Sequence, residues 1–280
     1  MKRRAFAFLL ALSLLLLPFL GLCESALLAV PSRSIAILLL GVDKPVGETL
    51  RAAGIVIAGL NLDTGAVRLA SIDRNTLIPG PNGDATLADT VALGGSALAL
   101  QTVKELYGIN ITRFVTVDLS GMEKIIDALG GVDIDVREGE LNIWMADGKT
   151  KVFEQTGLQT LGGAQAMSFM RDHTGEEKGS SRLSRVLTAC MQKGIQMGLD
   201  PLIELIMELI EHVETNMTLM DMMEVALSAL SASVSGMETK HFPMNGHTAS
   251  SGKETAVRML DSKAETEALY AFLFGETVMP

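Results

Sequence analysis

Cysteine is nearly absent from this chain, with only Cys23 and Cys190 in 280 residues. If the leader carrying Cys23 is removed, Cys190 stands alone and no intramolecular disulfide can form. Stability then has to come from a buried core. Histidine is scarce too. His173, His212, His241 and His247 fall into no metal-ligand spacing, and there is no HExxH. No GxSxG elbow, GxGxxG turn or Walker lysine motif occurs, so hydrolase, dinucleotide and P-loop sites have no support. Positive charge is in deficit. The 23 Lys and Arg face 33 Asp and Glu, a formal net charge of -10. Lys2, Arg3 and Arg4 sit in the leader, so the rest is more acidic still. General nucleic-acid binding wants a basic face and is excluded. A single anionic ligand is not, because local arginines can oppose the global sign. Proline and glycine are at ordinary levels and no internal repeat occurs, which excludes collagen-like and disordered classes.

What is present begins with an export signal. After the basic start, no side chain from Ala5 to Leu22 is charged. Residues 1–26 therefore read as a secretory signal peptide or a retained membrane anchor, with the basic end on the cytoplasmic side. The bulky Leu22 before Cys23 is a poor match to a lipidation site. Residues 27–34 read as a linker, and 35–280 as one extracytoplasmic domain.

Apolar runs at Ile35–Leu40, Ile55–Leu60, Val67–Ile72, Phe114–Leu119 and Val132–Val136 predict strands of one central sheet. The turn NLDTG between the second and third makes them a hairpin, so the sheet is partly antiparallel. Helical spacing predicts helices over Gly95–Leu106, from Ser120 or Gly121 to Leu129, and over Leu183–Met197, Pro201–His212, Leu219–Leu230 and Lys263–Phe272. Ala164–Met170 reads as helix or strand. Residues 78–84, 137–156 and 173–181 read as loops or irregular excursions. Strands interleaved with helices give an α/β class, a layered sandwich with a mixed, partly antiparallel sheet.

The chemistry-bearing residues are arginines near the ends of these elements: Arg51, Arg74, Arg171, Arg182 and Arg185. The last two lie three apart and share a helix face. Guanidinium groups so placed can converge on a phosphate or pyrophosphate through paired hydrogen bonds. By spacing alone they read more readily as ordinary solvated or salt-bridged arginines.

The blocks IAILLLGVD, LASIDRNT, ALGG, LYGINITRFVTVDLSGMEKIIDALGGVDIDV, GLQTLGGAQAMSFMRDH and SRLSRV, in that order, resemble the LytR-CpsA-Psr family over roughly residues 35–195. The resemblance implies a protein held outside the membrane and folded as a three-layer α-β-α sandwich. It implies binding of a polyprenyl pyrophosphate-linked glycan and transfer of its phosphoglycosyl part to peptidoglycan or another wall polymer. All five arginines would bind pyrophosphate, with Arg74 and Arg182 catalytic. An apolar tunnel would take the lipid, and aspartates would hold Mg²⁺.

The departures from the family pattern fall on that metal. The Arg-Ser-Asp stretch reads Arg51-Ala52-Ala53, Pro-Arg-Asp reads Asp73-Arg74-Asn75, and the Asp before the Arg-x-x-Arg pair reads Gly179. Phe169 stands for a tyrosine and Val186 for a glutamine. A hard cation wants charged oxygen ligands. The family's Mg²⁺ is therefore doubtful in this chain unless Asp73 and Asp172, or less directly Asp89, Glu176 and Glu177, replace what is lost. Two functions follow: an active glycopolymer phosphotransferase, or a non-catalytic relative that binds polyprenyl pyrophosphates or wall polymer.

Overall fold

The computed structural model describes residues 27–43, 49–80, 83–172, 179–230, 237–244, 248–250 and 256–275. The predicted leader, 1–26, and residues 173–178 with His173, Glu176 and Glu177 lie outside them. Among the described residues, no helix is long and apolar enough to cross a membrane.

In chain order the elements are β1 (Ser34–Asp43), β2 (Arg51–Asn61), β3 (Val67–Ile72), β4 (Leu77–Gly80), β5 (Gly83–Thr86), α1 (Thr90–Tyr107), β6 (Arg113–Asp118), α2 (Leu119–Ala128), β7 (Val132–Val136), β8 (Gly157–Leu161), α3 (Gly163–Arg171), α4 (Gly179–Met197), α5 (Leu199–Leu209), β9 (Val213–Thr215), α6 (Leu219–Leu230), β10 (Met237–Phe242), β11 (Thr248–Ser250), β12 (Val257–Met259) and α7 (Ser262–Phe274). The central sheet runs β10-β3-β2-β1-β6-β9. β2 is antiparallel to β1 and β3, β6 and β10 run parallel to β1 and β3 respectively, and β9 is antiparallel to β6. The arrangement is the expected three-layer α/β/α sandwich with a mixed sheet.

The middle strands are apolar without alternation because both faces are covered. On one face Leu38, Leu40, Ile55, Ile57 and Ile72 meet Ala99 and Val103 of α1 and Leu269 and Leu273 of α7. On the other, Ile35, Ile37, Val56 and Leu69 meet Leu183 and Leu187 of α4 and Val225 of α6. The β2–β3 hairpin closes where the Asn61 carboxamide oxygen accepts the N–H groups of Asp63 and Thr64, and Gly65 takes φ 67°.

One predicted strand is elsewhere. β7 is not in the central sheet but pairs with β8, a strand the sequence reading left out, in a separate two-stranded ribbon. Its pattern VDIDV alternates, with Val132, Ile134 and Val136 buried and Asp133 and Asp135 exposed. A strand with one wet face is what an outlying ribbon requires. Its dry face builds a second core with Phe153, Phe169 and Val186. Two smaller differences accompany this. Of the segment read as a loop, residues 78–80 and 83–84 lie in the paired strands β4 and β5. The first helix starts at Thr90, with its axis broken at Gly94 and Gly95. Of the two readings open for Ala164–Met170, the helix is the one found, within α3.

Helix α3 is set against α2 by a close approach. A Cβ on Gly163 would fall 2.3 Å from the backbone oxygen of Glu123, and the Gly163 N–H donates to Asp127 Oδ1 at 2.7 Å. Because the opposing atom is backbone, Gly163→Ala should push the helices apart and cost about 1–3 kcal/mol. Urea unfolding of the variant checks this, and unchanged stability would show that α3 yields freely.

Candidate anion-binding site

The sheet presents one end to this site: the carboxyl ends of β1 and β3 and the start of β2. Register brings Asp43 opposite Arg51. Between Gly41 and Val42 the pairing slips, so that Gly41 faces Gly54, Val42 faces Ala52, and Ala53 has no partner. This is a β-bulge, which leaves a residue out of the ladder and bends its strand. The carbonyl of Ala53 is thereby available, and it accepts from Arg74 Nη1 at 3.1 Å. Arg74 stands in the turn after β3, where Asp73 Oδ1 accepts the Asn75 N–H at 2.9 Å and the Asp73 carbonyl accepts from the Thr76 hydroxyl at 2.7 Å. Burial pushes the Arg74 guanidinium below its ordinary range and the neighbouring Arg51 charge adds to this, against the pull of Asp73 and Asp43.

Arg51 points across to the start of α1. Its Nη2 lies 2.9 Å from Asp89 Oδ1 and donates to the Thr86 hydroxyl at 3.3 Å. Asp89 Oδ2 accepts the Thr86 N–H at 2.8 Å and its hydroxyl at 2.7 Å. One carboxylate thus secures the turn into the helix and orients the arginine. Arg171, in the last turn of α3, lies 3.6 Å from Asp43 Oδ2. Asp43 therefore stands among Arg51, Arg74 and Arg171.

Arg182 and Arg185 occupy the first turns of α4. Strand β2 admits that helix closely: a Cβ on Gly54 would fall 2.1 Å from Leu183 Cδ2. Arg182 is 2% exposed, donates Nη1 to the backbone oxygen of Asp172, and lies 3.1 Å from Asp172 Oδ1 and 3.7 Å from Glu140 Oε1. Arg185 bonds Glu140 Oε1 and the Asp135 carbonyl, and reaches Glu140 Oε2 at 3.3 Å. Both guanidinium groups lie over Phe169, 5.5 and 5.1 Å from its centroid. The five arginines thus fall into two groups, three around Asp43 and two around Glu140, joined through the adjacent residues Arg171 and Asp172.

A model of the LytR_cpsA_psr family matches residues 27–268. The chain belongs to this family. It is 27% identical over 228 residues to the polyisoprenyl-teichoic acid–peptidoglycan teichoic acid transferase TagU of Bacillus cereus, covering 79% of this chain and 72% of that one. A TagU of Oceanobacillus iheyensis is 31% identical over 173 residues, 57% of this chain and 51% of the relative, so that match spans about half of it. The solved structure of TagT bound to LIIa-WTA superposes with a TM-score of 0.71 over 86% of this chain and 90% of that one, at 21% identity.

Among the described residues, the donors present do not fit the Mg²⁺ that the resemblance implies. Among the described residues, no group of three or more His, Cys, Asp or Glu is placed to hold a metal ion. The carboxylates at the site all have protein partners: Asp43 faces Arg171, Glu140 takes Arg185 and the Arg137 N–H, Asp89 takes Thr86 and Arg51, Asp172 takes Arg182, and Asp73 takes the Asn75 N–H, with His241 Nε2 3.8 Å away. Val186, at the glutamine position, is fully buried in the second core. Asp43 and Glu140 were missed as site residues. A charge closing an apolar strand was the available signal for Asp43. Nothing in the spacing marks Glu140.

Asp89 makes a testable contribution to stability. Burial alone would raise its carboxyl, but the Thr86 hydroxyl and N–H together with Arg51 outweigh this and hold it below the usual range. A carboxylate depressed in the folded state stabilises above its unfolded pKa, and the gain is lost as pH falls through the folded value. Asp89→Asn should therefore melt below wild type at pH 7, and the gap should close on acidification. Melting curves across pH check it; a gap independent of pH would contradict the assignment.

Proposed function

We propose that this protein is an extracytoplasmic glycopolymer phosphotransferase-like protein. In this reading it binds polyprenyl pyrophosphate-linked glycans at the outer face of the cytoplasmic membrane and serves their attachment to peptidoglycan or another wall polymer. Residues 1–26 deliver it across the membrane or hold it there. The observation that carries the reading is the gathering of Arg51, Arg74 and Arg171 at the carboxyl ends of β1 and β3 in a chain of net charge -10. Against that global sign, three guanidinium groups at one sheet end form a local seat for a multiply charged anion.

The transfer forms a bond from an acceptor oxygen to the glycan-side phosphorus. It breaks that phosphorus's bond to the bridging oxygen, which leaves with the polyprenyl monophosphate, while the acceptor's proton passes to solvent or a base. Such a step depends on positioning and on neutralising the leaving charge. Arg51 and Arg74, fixed by Asp89 and by the Ala53 carbonyl, supply positive charge from groups that need little reorganisation. The engagement of Asp73, Asp89 and Asp172 with protein donors favours a second reading, a relative that binds the pyrophosphate lipid without turning it over.

Titration calorimetry of the full chain with a soluble polyprenyl pyrophosphate, with and without EDTA, separates these readings when run beside a transfer assay. Arg74→Ala should weaken binding by about tenfold or more, the loss expected for a charged hydrogen bond. Binding that survives EDTA without transfer supports the binder. Metal-dependent transfer abolished by Asp73→Ala or Asp172→Ala establishes a rebuilt metal site. No binding by the wild-type chain sinks both.

A further inference from the structure

We infer that Glu140 is the positioning residue of the Arg182–Arg185 pair and that it presents Arg185 to the anion. The inference rests on the pyrophosphate-binding reading above and assigns a residue that reading leaves without a role. Glu140 ends a short turn after β7, between the two strands of the outlying ribbon, and its side chain is 5% exposed. Both carboxylate oxygens are used. Oε2 accepts the Arg137 N–H at 2.9 Å and Arg185 Nη2 at 3.3 Å, while Oε1 takes Arg185 Nη1 and stands 3.7 Å from Arg182 Nε. Two oxygens meeting two nitrogens of one guanidinium is the forked geometry that fixes an arginine's plane as well as its place.

The two arginines are placed unequally. Arg182 is enclosed, at 2% exposure, and its Nη1 is turned to Asp172. Arg185 is 19% exposed and is the member of the pair that a ligand can approach. Beneath both lies the buried ring of Phe169, itself held edge-on by Phe153 with centroids 5.5 Å apart. The Asp135 carbonyl of the ribbon completes the hold on Arg185. Glu140 and Asp172 together balance the two guanidinium charges. Glu140 therefore subtracts from the local attraction for an anion while it fixes the geometry of the group that would meet it.

Those two effects predict opposite results when the charge is removed. Titration of the full chain with inorganic pyrophosphate, for wild type, Glu140→Asp and Glu140→Gln, separates them when melting temperatures are recorded in parallel. If Glu140 positions Arg185, affinity of the folded protein falls in the order wild type, Asp, Gln. The Gln variant should be weaker by about tenfold although its net positive charge has risen by one. Arg185→Lys, which keeps the charge and loses the fork, should weaken binding similarly. Equal or tighter binding by the folded Gln variant overturns the inference, because it leaves Glu140 only as a counter-charge or a structural group. If the Gln variant does not fold, wild-type affinity in the Asp variant overturns it. Wild type that binds inorganic pyrophosphate together with unaffected Glu140 variants sinks this inference alone, whereas wild type that binds no pyrophosphate sinks it along with the reading it rests on.

Discussion

The candidate site depends on how β1 pairs with β2. Both strands are buried on both faces, and their apolar runs fix them at the centre of the sheet. Register then places Asp43 across from Arg51 at the end of the pair, and the slip at Gly41–Val42 sets Ala53 outside the ladder. A regular ladder would use that carbonyl between strands. The bulge gives it to Arg74 instead. A fault in the hydrogen-bond pattern of the two middle strands thus anchors an arginine that belongs to a third.

Charge is organised around that geometry by local pairing. An acidic chain has no general attraction for anions, so its cations must be held where they are needed. Asp89, Asp43, Asp172 and Glu140 each stand beside arginines of the site. A buried guanidinium without such a partner would be strongly unfavourable, and a buried pair gains chiefly in defined geometry. The carboxylates that orient the arginines are, for the same reason, poorly available as ligands for a hard cation. Ala53, Asn75 and Gly179, at positions where the resemblance implies acids, offer no further carboxylate.

Much of the fold could be read from the sequence because the middle strands carry continuous apolar runs and their turns carry Asn, Asp and Gly. The fifth strand was misplaced because an apolar run and an alternating one were given equal weight, although Asp133 and Asp135 demand a wet face. The short strands β8 to β12 have no run long enough to stand out. Within the site, the arginines were found through motif order, since their spacing fitted solvated residues more readily. Glu140 was out of reach for a different reason. Its contact with Arg185 spans 45 residues and joins an irregular turn to a helix. Only the placing of the ribbon against α4 brings the two together.

The outer strand β10 carries a consequence for how the chain acquires its structure. It lies parallel along β3, with Met237 beside Val67 and Phe242 beside Ile72, and the helix that follows packs on the same sheet. The hairpin of β2 and β3 closes locally, but the far side of β3 waits for residues made some 170 positions later. Until then a strand of high apolar content exposes a row of unmet amide and carbonyl groups, the kind of edge that recruits other chains. Contacts this distant in sequence also form slowly. Until β10 docks, that edge is open to other chains, and a copy cut short before Met237 would keep it open permanently.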